Sequence, residues 1–197
     1  QTCALPISGW FCALMLAVAL PVAAKPRANI FASTKSWAFQ LKNINAAQLA
    51  ASPYDMVVID SELFETGADR PLRRDEVEAM QKKPDGSRRL VIAYLSVGEA
   101  ESYRAYWKPE WNEKRPDWIG EENKEWKRNY PVKFWEPAWQ DIIFGNSESF
   151  VDRVIAQGFD GFYIDRADVY SDFGDNAASR ARMRAFIVRL TNYMRAR

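Results

Sequence analysis

The residues of this chain that could do chemistry are carboxylates, and they stand where apolar runs end. Met56-Val57-Val58-Ile59 leads into Asp60-Ser61-Glu62, and Leu90 to Val97 leads into Gly98-Glu99-Ala100-Glu101. Phe159 to Ile164 leads into Asp165-Arg166-Ala167-Asp168. The sequence has no His, and its two Cys, Cys3 and Cys12, lie in an N-terminal apolar stretch. Ser-His-Asp and Cys-His nucleophiles and His-liganded zinc are thereby excluded. Paired carboxylates suit glycoside hydrolysis: one acid protonates the leaving oxygen while the other attacks the anomeric carbon or activates a water. Aromatic residues are abundant, with 8 Trp, 8 Tyr and 11 Phe. Apart from Trp10, every Trp lies between Trp37 and Trp139. Trp37, Trp107, Trp111, Trp126, Trp135 and Trp139 are candidate sugar platforms, although each taken alone reads more readily as packing than as a subsite.

Blander readings compete. An acid at a strand exit often caps the next helix. Arg104 and Arg166 stand beside these acids and could simply neutralise them. A carboxylate-held divalent cation would call for a calcium-loop spacing, which is absent, so no metal is expected. Gathering like charges costs folding energy, and structure alone has little reason to do it at three strand ends.

The elements that must position these acids alternate between strand and helix. Ser36 to Leu41 reads as a first strand, followed by a short helix capped by Asn45. Met56 to Asp60 is a continuous β-branched run, as in a parallel sheet buried on both faces. Arg73 to Lys82 reads as a helix stopped by Pro84-Asp85-Gly86. Leu90 to Val97 is a third strand, and Ser102 to Asn129 an elaborated loop rich in Pro and Trp. Tyr130 to Trp135 is a candidate fourth strand. Ser147 to Gln157 reads as a helix ending at Gly158, Phe159 to Asp165 as a fifth strand, and Asp175 to Met194 as an amphipathic helix. This is the grammar of an α/β fold, in which strand C-termini converge on one face. No Gly-rich phosphate fingerprint follows a strand, so no nucleotide cofactor is expected.

The chain has 197 residues and a net charge of +1, so no strong field points to nucleic acid. Trp10 to Leu20 is nearly all apolar, and small residues follow up to Ala24. Residues 1–24 read as a signal-peptide-like segment cleaved after Ala24, which implies a secreted or periplasmic location; an uncleaved anchor is the alternative. Membrane contact is expected only through that segment. Gln1 to Ser8 lacks the Met and basic residues such a segment begins with, and reads as a non-native start.

Four stretches carry a family resemblance: Trp37-Ala38-Phe39-Gln40-Leu41; Tyr54 to Asp60; Ala93-Tyr94-Leu95-Ser96-Val97-Gly98-Glu99-Ala100-Glu101 with Tyr103-Arg104; and Gly158 to Asp168. They resemble glycoside hydrolase family 114, the TIM-barrel endo-α-1,4-polygalactosaminidases, over roughly residues 36–170. The resemblance implies a (β/α)8 barrel that cleaves α-1,4-linked galactosamine polymers, with Asp165 a catalytic carboxylate and Asp60, Glu99 and Asp168 in the same pocket. On that basis the expected catalytic residues are Asp165, Glu99 and Asp60. The expected substrate contacts are Trp37, Gln40, Tyr94, Glu101, Trp135, Tyr163, Arg166 and Asp168. The partner is an amino-sugar polysaccharide, and the full-length protein is expected to be a monomer. A TIM barrel needs about 250 residues and eight strands. Residues 25–197 are therefore expected to be a partial barrel of about five βα units, with the second acid beyond Arg197. Such a chain is expected to be inactive and poorly soluble. A carbohydrate-binding barrel without turnover and a scaffold whose acids only pair and cap are the competing functions.

Overall fold

In the computed structural model, residues 27–64 and 69–197 are described. The signal-like segment lies outside them. Helix α1 (Arg27–Ala32) precedes strand β1 (Trp37–Gln40), helix α2 (Ala46–Ala50) and strand β2 (Met56–Ile59). The short strands β3 (Glu62–Leu63) and β4 (Arg70–Pro71) pair antiparallel, and helix α3 (Arg74–Met80) follows. Strand β5 (Leu90–Ser96) leads through Gly98 into β6 (Glu99–Glu101), and β7 (Asn129–Pro131) lies across the loop. Helices α4 (Pro137–Ile143) and α5 (Phe150–Gln157) precede strand β8 (Gly161–Asp165), and helix α6 (Ala177–Arg195) ends the chain.

The helices begin and end where local chemistry dictates. Asn45 Oδ1 accepts the Gln48 N–H at 3.0 Å, and Asn176 Oδ1 accepts the Ala178 and Ser179 N–H groups at 2.9 and 3.0 Å. Each satisfies orphan donors of a first turn. Helix α5 ends at Gly158, whose φ of 92° is costly for any residue with a Cβ.

The main sheet has four parallel strands in the order β1-β2-β5-β8. Val58 is level with Phe39 and Ile92, Ile92 with Gly161, and Tyr94 with Tyr163. Side chains alternate faces along a strand. Val57, Ile59, Val91, Ala93 and Leu95 therefore share one face, and they are buried in a core with Leu72, Val77, Met80, Val151 and Val154. The opposite face carries Trp37, Phe39, Tyr94 and Tyr163. At the N-terminal end of the sheet the buried Arg89 guanidinium donates to the carbonyls of Tyr54 at 2.9 Å and Met80 at 2.7 Å, and to that of Ser52. It thus ties α2 and α3 beneath the strands.

The expected fourth strand takes a different place. Residues 130–135 continue as strand only to Pro131, and β7 pairs antiparallel with β6 instead of joining the parallel sheet. Pro131 has no N–H to give to a ladder, which suits a short ribbon and not a central strand. The next parallel partner of β5 is accordingly β8. The sheet is not closed into a barrel among the described residues.

Candidate active site

A cavity of about 730 Å³ opens at the C-terminal ends of the parallel strands, and Asp60, Glu99, Glu101, Tyr94, Asp165 and Arg166 all line it. Asp60 follows the last residue of β2, Asp165 ends β8, and the turn at Gly98 folds β6 back over the mouth of β5. That turn is tight. A Cβ on Gly98 would collide with the Arg166 carbonyl oxygen and lie 2.6 Å from Val169 Cβ. The Val97 N–H donates to the Asp165 carbonyl at 3.0 Å, so the two acid-bearing turns are tied by backbone.

The acids differ in how their charge is met. Arg104, 3% exposed, donates to both Asp60 oxygens at 2.6 and 2.9 Å and to Glu101 Oε2 at 2.6 Å. Glu62 lies 3.5 Å from the same guanidinium, which therefore fills the place a cation would take among these three acids. Burial pushes the Glu101 and Glu62 carboxyls above their ordinary range, against the pull of Arg104. Burial likewise disfavours the Arg104 charge, but Glu101 and Asp60 outweigh it and hold Arg104 firmly protonated. Tyr103 Oη donates to Glu101 Oε1 at 2.6 Å.

Glu99, 2% exposed, accepts from Asn123 Nδ2 at 2.8 Å and Asn129 Nδ2 at 3.3 Å, and pairs with Arg166 Nε at 3.1 Å. Arg166 also reaches Asp172 at 2.7 Å and Asp168 at 3.4 Å. Its backbone sits in the left-handed region, with φ of 57°, a conformation costing a non-glycine residue about 1 kcal/mol or more. In this conformation its N–H donates to Asp165 Oδ1 at 2.8 Å. Tyr94 Oη donates to Asp165 Oδ2 at 2.6 Å. Burial, and then this bond to Asp165, push the Tyr94 phenol far up, so it remains a donor. Asp165 is held by a phenol and an amide, whereas Asp60 and Glu99 face arginines.

Five expected contacts stand outside the cavity wall. Trp135 meets Phe134 and Phe173 edge-on, with Arg182 over its ring. Gln40 Nε2 donates to the Lys42 and Asn43 carbonyls at 3.2 and 2.9 Å, fixing the exit from β1. Trp37 and Tyr163 share the cavity's sheet face but pack on Phe39, and Asp168 projects into solvent beside Arg166. Sequence reasoning did not single out Asp69, Asn123 and Asn129. Asp69 and Asn129 line the cavity, and Asn123 braces it from behind through Glu99. Amides and acids in a loop without periodicity give no signal of facing a site.

A family model described as glycoside-hydrolase family GH114 matches residues 18–197. An uncharacterized protein of Methanocaldococcus jannaschii is 38% identical over 163 residues, 81% of this chain and 44% of the relative. One of Deinococcus radiodurans is 34% identical over 182 residues, 91% of this chain and 55% of the relative. The chain thus spans about half the length of the curated relatives it matches. Among solved structures, Aspergillus fumigatus Ega3 in complex with galactosamine superposes with a TM-score of 0.59 at 21% identity, over 83% of this chain and 56% of that one. The glycoside hydrolase domain of Pseudomonas aeruginosa PelA gives 0.56 at 19%, over 81% and 56%. With a parallel sheet whose acids gather at the strand C-termini, and a family match over nearly its whole length, this chain belongs to glycoside-hydrolase family GH114.

Proposed function

We propose that this chain is part of an exported endo-acting glycosidase that cleaves α-1,4-linked galactosamine-containing polysaccharide by a two-carboxylate mechanism. The observation that carries the reading is the setting of Asp165. It is a cavity carboxylate at a strand C-terminus, aimed by Tyr94 Oη and the Arg166 N–H, with no ion pair among the described residues. Asp60 and Glu99 spend their charge on Arg104 and Arg166, so their part is to build the cleft. In this reading the second acid, and the strands that close an eight-stranded barrel, come from polypeptide beyond these residues, and the present chain alone does not turn over. The four parallel strands here and the coverage of about half of each relative support this. The galactosamine named with the Aspergillus protein motivates the substrate class. The complete protein is a monomer exported by a leader.

The test is cleavage of partly deacetylated α-1,4-galactosaminogalactan by the complete gene product, with product sizes read by mass spectrometry. Wild type should release oligosaccharides. Asp165→Asn, folded, should lose about 10³-fold or more in rate, as expected when one member of a catalytic pair is removed. Binding without cleavage by wild type would replace the enzyme with a carbohydrate-binding barrel. Neither binding nor cleavage would leave the strand-end acids as structural ion pairs.

A further inference from the structure

Of the tryptophans among the described residues, Trp126 alone lines the cavity. Trp37 stands exposed on β1 outside the cavity wall, and Trp135 packs on Phe134 and Phe173. Trp107, Trp111, Trp118 and Trp139 contact one another in a chain of rings 5.4 to 5.9 Å apart. Trp126 is 64% exposed. An indole left this open gives the fold little, yet its backbone is closely held. Asn123 Oδ1 accepts the Glu125 and Trp126 N–H groups at 3.0 and 3.2 Å, and the Asn129 N–H donates to the Trp126 carbonyl at 3.2 Å. The same two asparagines turn their amide nitrogens onto the buried Glu99 carboxylate. A buried acid at the start of β6 thus anchors a turn whose tip is an exposed aromatic ring at the cavity wall.

We propose that Trp126 is the sugar-stacking platform of this cleft, and that Glu99 is a positioning residue that holds it there through Asn123 and Asn129. The inference rests on the amino-sugar reading. The negative face of an indole receives the polarised C–H groups of a pyranose, and an ammonium substituent near the ring adds a cation–π attraction. Glu99, already met by two amides and a guanidinium, holds the wall instead of moving a proton.

The test is calorimetric titration of the complete gene product with an α-1,4-linked galactosamine oligosaccharide. Trp126→Ala should weaken binding about tenfold, as expected for losing one aromatic contact, and Trp126→Phe should keep most of the affinity. The unfolding midpoint of Trp126→Ala should not move, because the ring is exposed. Glu99→Gln should also weaken binding and speed amide exchange within residues 121–129. Added to Trp126→Ala it should cost nothing further, because both act through one ring. Undiminished binding by Trp126→Ala would overturn the platform. A further loss on adding Glu99→Gln would place Glu99 against the sugar and overturn the positioning role. Failure of wild type to bind would instead sink the amino-sugar reading, and the platform with it.

Discussion

At the scale of single residues, what separates a reactive carboxylate from a structural one here is its partner. Asp60 and Asp165 look alike in the sequence, each ending an apolar strand. One meets a bidentate guanidinium, the other a phenol and a backbone amide. Removing one partner of a buried ion pair leaves an uncompensated charge. Arg104→Met should therefore cost about 3–5 kcal/mol, read by urea unfolding. Glu62, beside the same guanidinium, carries a pH signature. Burial raises it above the ordinary 4.5, Arg104 opposes, and Asp60 adds repulsion. An acid raised in the folded state contributes stability that is complete below its unfolded value and lost as pH rises through its folded value. Glu62→Gln should thus lose less stability than wild type as pH rises from 4.5. Equal slopes in a pH series of unfolding midpoints would refute this.

At the scale of elements, the site depends on two turns that grip each other. Gly98 lets β5 fold back into β6 where the Arg166 carbonyl passes, and there is no room for a methyl group. Gly98→Ala should destabilise by about 2 kcal/mol or more, because the obstructing atoms are backbone and a buried valine. It should also disturb Asp165, through the Val97 N–H bond to the Asp165 carbonyl. Unfolding curves together with a binding titration separate the two effects. Most helices and parallel strands were legible: the Asn45 cap, the Gly158 stop, the helical spacing from Met183 to Met194 and the β-branched run at 56–59 act locally and leave local signals. The ribbon of β6 and β7 was not legible. Tyr130, Val132 and Phe134 alternate as a strand should, but periodicity names a strand without naming its partner.

At the scale of the whole molecule, one sheet face is covered by helices, and the other leaves three large rings open. Trp37, Phe39 and Tyr163 are 53%, 48% and 42% exposed there, on the edge strands β1 and β8. An apolar face flanked by two edges that are unpaired among the described residues invites association. The chain on its own should bind a hydrophobic dye and sediment as species larger than a monomer at micromolar concentrations. Phe39→Lys should reduce both signals. A monodisperse monomer that leaves the dye dark would show that this face is covered in solution.

The sequence by itself determined the class of chemistry. The lack of His and distal Cys, the acids at strand exits and the long ordered strings around Glu99 and Asp165 are properties of residue type and order. Tertiary structure alone decided which acids face arginines, which tryptophan stands at the cavity, and which apolar face lies open. These depend on contacts between residues far apart in the chain: Arg104 with Asp60, Tyr94 with Asp165, Asn123 with Glu99. No local pattern encodes such pairings, because the energy of burying a charge is set by whatever the fold brings beside it.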